Sequence, residues 1–98
     1  MKVEDVIKEF LDIAKDFDNI KKIILFGSFA KDMPTKTSDI DIAISGEFNY
    51  FELIDRIKNE INTIRSFDII NYDEISSENL KREIDLYGRV LYDKVQGI

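Results

Sequence analysis

Gly27-Ser28, ten residues, then Asp39-Ile40-Asp41 is the stretch of this 98-residue chain whose residue types and spacing could do chemistry. A glycine that closes a buried strand lets the backbone come near a ligand with no Cβ in the way. A serine at the start of a following helical segment offers its hydroxyl and backbone N–H groups to a phosphate. Two aspartates at i and i+2 of a strand point to the same side, a spacing suited to gripping one or two Mg²⁺ ions. Two such ions can activate an attacking hydroxyl and neutralise a leaving pyrophosphate in an in-line displacement. A further carboxylate, Asp68, stands near the start of a later strand-like run, residues 67–71.

This chemistry constrains the topology. Gly27-Ser28 ends one strand while Asp39 and Asp41 begin the next, so both reach one ligand only if those strands are antiparallel. Asp68 joins them if its own strand lies parallel to the second. Three carboxylates would then converge at one sheet edge, where they repel strongly unless cations are shared among them. Along residues 38–45, Asp39, Asp41 and Ala43 fall on one face and Ile40, Ile42 and Ile44 on the other.

The surrounding elements are legible from period and punctuation. Residues 2–17 carry Val3, Val6, Ile7, Phe10, Leu11, Ala14 and Phe17 at helical spacing, with a stop at Asp18-Asn19. Ile23-Ile24-Leu25-Phe26 reads as a buried strand. Residues 29–37 read as one or two helical turns and a loop broken by Pro34. Asn49 with Glu52, and Phe48 with Leu53, mark the capped start of a helix whose stripe is Ile54, Ile57, Ile61 and Ile64. Ser76 or Ser77 caps a final helix bearing Leu80, Ile84 and Tyr87; Gly88 fits its C-cap, and residues 89–92 a closing strand. Phe10, Phe17 and Phe26 belong to the core. The expected class is α/β (α+β), a small mixed sheet with helices packed on it in the order αβαβαβαβ, as one domain over residues 1–98.

Composition narrows the chemistry further. With 44% apolar and 35% charged residues the balance is that of a globular protein, and no apolar run approaches the roughly 18–20 residues needed to span a bilayer. Acids at Glu4 and Asp5 stand where a signal peptide is basic, and there is no cysteine. Together these predict a cytoplasmic protein without disulfides or thiolate metal sites, and with no membrane contact. There is no histidine either, so metal chemistry falls to oxygen ligands, which favour Mg²⁺, Mn²⁺ or Ca²⁺ over Zn²⁺. A net charge of −6 argues against direct, sequence-blind binding to nucleic acid.

The run from Gly27-Ser28 to Asp39-Ile40-Asp41, together with the chain length and the closing Gly88-Arg89-Val90-Leu91-Tyr92 segment, resembles the DNA polymerase β-type nucleotidyltransferase superfamily. It is most similar to the minimal branch, whose members are paired with HEPN-domain toxins. The resemblance implies the nucleotidyltransferase fold, with Gly27 and Ser28 holding the triphosphate of ATP. It implies that Asp39 and Asp41 bind Mg²⁺ and that Asp68 completes the catalytic and metal-binding carboxylates. It also implies an antitoxin that moves AMP from ATP to a tyrosine hydroxyl of a HEPN toxin. Many members carry Arg-Gly a few residues after the serine, where this chain has Lys31-Asp32. Lys31 can still meet a phosphate, as a point charge without arginine's fork, while Asp32 adds negative charge beside it. Lys31 and Lys36 each stand between phosphate contact and solvated loop charge. Two other functions fit the residues: a non-catalytic module that neutralises its partner by docking, and transfer to a small molecule such as an aminoglycoside. A core of this length leaves nothing to bind the acceptor, so a partner protein is expected to supply it; a homo-oligomer is also open.

Overall fold

Branched apolar residues at 23–26 and 40–44 place two strands at the centre of the sheet, where both faces are covered. The computed structural model describes residues 2–34 and 39–97. The central pair, β1 (Ile20–Phe26) and β2 (Ile40–Gly46), is antiparallel. Strand β3 (Phe67–Asn71) runs parallel to β2, and β4 (Arg89–Asp93) antiparallel to β1, giving the order β3-β2-β1-β4. Helix α1 (Val3–Ala14) precedes β1, α2 (Tyr50–Glu60) makes the crossover from β2 to β3, and α3 (Glu78–Tyr87) leads into β4.

The pleat divides the core in two. Ile23 and Leu25 of β1, and Ile40, Ile42 and Ile44 of β2, point at Phe10 and Ile13 of α1 and at Leu53 and Ile57 of α2. Ile24, Phe26 and Ala43 point the other way, where Ile84 of α3 covers them in a much smaller cluster. Of the expected split, Ala43 lies in the small core and the three isoleucines in the large one, with Asp41 alternating with them; Asp39 precedes the strand, which begins at Ile40 rather than Ser38. The chemistry-bearing side of β2 is the thinly covered one.

The caps follow the sequence signals. The Asn49 side chain accepts from the Glu52 N–H at 3.0 Å, Phe48 packs on the core that includes Leu53, and Ser77 caps α3 through Leu80 N–H at 3.3 Å. Other expectations are corrected. Helix α1 ends at Ala14 rather than reaching residue 17, and β1 begins three residues early, at Ile20. Helix α2 stops at Glu60 because Ile61 turns to an extended conformation (φ −104°, ψ 120°). The buried stripe is therefore Leu53, Ile57 and Ile61, and Ile64 is fully exposed. On α3 only Ile84 is buried, and Tyr87 faces solvent. Gly88 does end α3, but with extended backbone (φ −67°, ψ 150°) rather than a left-handed cap. Its need is space, since a Cβ there would stand 2.4 Å from the Ile84 carbonyl oxygen and 2.6 Å from Ile24 Cγ2. A 3₁₀ turn at Tyr72–Glu74 had no sequence signal.

Removal of a buried branch distinguishes core from surface on α2. Leu53→Ala should lower the unfolding free energy by about 2–5 kcal/mol in urea titrations, because Leu53 is 0% exposed. Phe51→Ala, two residues away and 81% exposed, should stay within about 0.5 kcal/mol of the parent.

Candidate active site

Strand register brings the candidate residues together. Asp41 is the cross-strand partner of Phe26 on β1 and of Asp68 on β3. The Ile40 N–H donates to the Ser66 carbonyl at 2.8 Å, extending the β2–β3 pairing back toward Asp39. The antiparallel and parallel relations required by the chemistry are therefore both present. Asp39 and Asp68 are exposed, while Asp41 is half-buried.

Gly27 follows directly on Phe26, with φ +74°. A Cβ built on it would lie 2.2 Å from Asp41 Oδ2 and 3.1 Å from its Cγ. Glycine is required here twice over, by the left-handed backbone and by the carboxylate pressed against it. The chain then makes a single helical turn. Lys31 N–H donates to Gly27 O, Asp32 N–H to Phe29 O and Met33 N–H to Ser28 O, at 3.3, 3.3 and 2.9 Å. The last two bonds, with Asp32 at φ +55°, form a Schellman closure whose left-handed position is residue 32. This is the helical turn expected after Ser28; among the described residues it does not extend into a full helix. Phe29 fixes it by burying its ring in the α1–α2 core, with the Arg65 guanidinium 4.9 Å from the ring centroid. Ser28, in this turn, is half-buried. Lys36 and Ser38 lie outside the described residues.

Burial and like charge together set the electrostatics of these carboxylates. Burial, and then the neighbouring Asp68, Asp39 and Glu83 carboxylates, push the Asp41 carboxyl up to about 6 from its ordinary 3.8. Glu83 had no local signal in the sequence. It is one glutamate in a charged amphipathic helix, and only the packing of α3 over β1 brings it to the site. Lys31 does not stand free toward a phosphate: its ammonium donates to Glu83 Oε1 and sits 5.3 Å from the Tyr87 ring centroid.

The donor set fits a hard divalent cation, being made of carboxylate oxygens with no nitrogen or sulfur ligand nearby. Among the described residues no three acids already form a metal-ligand group. The protein also has grooves of about 630 and 440 Å³, lined by residues such as Leu25, Phe29 and Arg89, or Leu11, Phe17 and Tyr92. Neither includes a carboxylate of the row. We place the chemistry at the open acidic edge rather than in either groove, because charge and register converge there.

With this geometry in place, likeness to known proteins is informative. The family model described as Polymerase beta, Nucleotidyltransferase matches residues 8–96. The chain belongs to the polymerase beta nucleotidyltransferase family. A candidate protein adenylyltransferase of Methanocaldococcus jannaschii is 47% identical over 57 residues, a match spanning 56% of this chain and 57% of that relative. A toxin–antitoxin MntA–HpeT crystal structure with two Asp→Glu replacements has a similar fold, with TM-score 0.72 and 19% identity over 91% of this chain and 74% of that one. A toxin–antitoxin structure with AMP-PNP gives TM-score 0.71 and 22% identity over 97% and 77% of the two chains. The mixed sheet with helices on it is thus the nucleotidyltransferase fold. Among the described residues no helix is long and apolar enough to cross a membrane.

The raised Asp41 carboxyl has a consequence for stability. Its folded value near 6 exceeds the ordinary 3.8, so the folded protein holds a proton that the unfolded chain has released. Ionised Asp41 therefore destabilises the fold above about pH 6, and that penalty fades as pH falls toward 4. In EDTA, Asp41→Asn should melt a few degrees above the parent at pH 8. The two proteins should converge at pH 4.5, as followed by circular dichroism.

Proposed function

We propose that this chain is a Mg²⁺-dependent adenylyltransferase that moves AMP from ATP to a hydroxyl of a partner protein, and thereby acts as an antitoxin. The observation that carries the reading is the register of Asp41, set against Gly27 on one side and Asp68 on the other. In the reaction the acceptor oxygen bonds to the α-phosphorus of ATP, the bond from that phosphorus to the β-phosphate oxygen breaks, and pyrophosphate leaves.

Each residue has a part. Gly27 gives the phosphate chain close approach to the backbone, and the Ser28 hydroxyl and the N–H groups of its turn hold it. Asp39, Asp41 and Asp68 would hold Mg²⁺, as a one- or two-ion site. When bound, that metal neutralises charge on the departing pyrophosphate and makes the acceptor hydroxyl easier to ionise. Asp68, exposed on the edge strand, is the carboxylate best placed to take the acceptor's proton. Lys31 contributes a positive charge to the phosphates.

The acceptor we favour is a tyrosine hydroxyl on a HEPN-domain toxin. Two kinds of likeness support this: the relative named as a candidate protein adenylyltransferase, and the similarly folded proteins named as toxin–antitoxin structures, one holding AMP-PNP. The open edge at Asp39 and Asp68 leaves room for a protein surface to cover the nucleotide.

The decisive experiment is mass spectrometry of a co-expressed HEPN-domain toxin after incubation with this chain, ATP and Mg²⁺. The toxin should gain mass in steps of one AMP, and the Asp39→Asn/Asp41→Asn variant should slow this by at least about a hundredfold, as expected when groups that stabilise developing charge are removed. Protection from the toxin by that variant, with no mass gain in either case, would replace the enzyme by a docking module. Turnover of an aminoglycoside without any partner would move the acceptor to small molecules.

A further inference from the structure

We propose that Glu83 is a positioning residue that latches the Lys31 ammonium against α3 and releases it to the phosphates when nucleotide enters. The inference rests on the nucleotide-binding reading above and extends it to a residue outside the sequence motif.

Three observations converge. Lys31 ends the helical turn that starts at Ser28, so its backbone is fixed beside the phosphate-binding segment by the Schellman closure. Its side chain crosses to α3, where Glu83 accepts its proton-bearing nitrogen and Tyr87, one turn later, offers its ring at 5.3 Å. Glu83 also stands close enough to Asp41 to act on its carboxyl. The Lys31 ammonium is thus held by two groups on one face of α3.

The pair is poised to exchange. Its side chains are 36% and 39% exposed, and an ion pair in that setting is weak because water and salt screen it. A triphosphate chain carries several charges, and a lysine offers three donors without a preferred plane. Transfer of Lys31 from Glu83 to phosphate therefore exchanges a weak partner for a stronger one. Glu83 therefore holds nucleotide affinity down through Lys31.

The test is calorimetric titration of Mg·AMP-PNP into the whole chain, with thermal melts as a folding control. Glu83→Gln should tighten Kd about two- to fivefold, the range spanned by losing a partly exposed ion pair. Lys31→Met should weaken it, and Glu83→Gln placed on Lys31→Met should bring no comparable gain. Glu83→Asp, which keeps the charge, should stay near the parent. An unchanged or weaker Kd in Glu83→Gln would overturn the latch, as would an equal gain in the Lys31→Met background, which would make Glu83 a general source of negative field. If the parent chain itself failed to bind Mg·AMP-PNP, the nucleotide reading would fall and the latch with it; parent binding with an inert Glu83→Gln sinks the latch alone.

Discussion

Everything at the acidic edge depends on the register of β2, a strand buried on both faces. Ile40, Ile42 and Ile44 fill the large core under α1 and α2, and Ala43 fills the small one under α3. A slip of one residue would exchange these sets and drive Asp41 into an apolar interior. Burial of an unpaired carboxylate costs far more than the register's alternatives could return. The alternation that makes the core is therefore also what aims Asp41. Its neighbours inherit their places from it: Gly27 because β1 pairs with β2 antiparallel, and Asp68 because β3 pairs with it in parallel.

The two faces of the sheet divide the work. Stability is concentrated on the α1–α2 side, where most fully buried side chains gather. On the other side one helix, through Ile84, covers three buried residues of the sheet, and the N-terminal end of β2 is left open for charge. That thin cover leaves Asp39 and Asp68 exposed, yet it keeps Asp41 dry enough for its carboxyl to be pushed up. Sites that gather like charge in this way are destabilising in themselves and stand where a ligand repays the strain.

Much of this was legible before any coordinates, for a definite reason. The Gly-Ser and Asp-x-Asp pairs sit at strand ends, where position along the chain and position in space are nearly the same thing, so their meeting could be deduced from strand direction. Asp68 followed from the same logic. What escaped was set by tertiary packing. Ile64 continues the helical period of α2, but the helix has already ended at Glu60. Gly88 is the C-cap of α3 as expected, but its extended backbone and its close approach to Ile24 are set by the packing of α3 on β1. Asp73 bridges the Ser45 hydroxyl at 2.8 Å and the Gly46 N–H at 2.9 Å, fixing the far end of β2 through a 3₁₀ turn with no periodic signature. Glu83 reaches the site only because α3 folds back across β1, a contact between residues far apart in sequence.

The Lys31-Asp32 pair shows how a departure from a family pattern can be electrostatic while the backbone is retained. The Schellman closure needs a left-handed residue at position 32, which glycine supplies without cost and aspartate tolerates better than most side chains. Asp32 takes that conformation at φ +55°, so the turn that presents Ser28 is intact. What changes is the field. Lysine in place of arginine gives up the bidentate fork, and Asp32 puts a negative charge next to Lys31 in a chain whose acidic edge already carries Asp39, Asp41 and Asp68 with Glu83 near by. A bare triphosphate meets net repulsion at such an edge, whereas a triphosphate already carrying its cation brings the charge that these acids attract. On the proposed reading, this acidity would select for the metal–nucleotide complex over phosphate alone, and the partner held by Lys31 would set how tightly that complex is gripped.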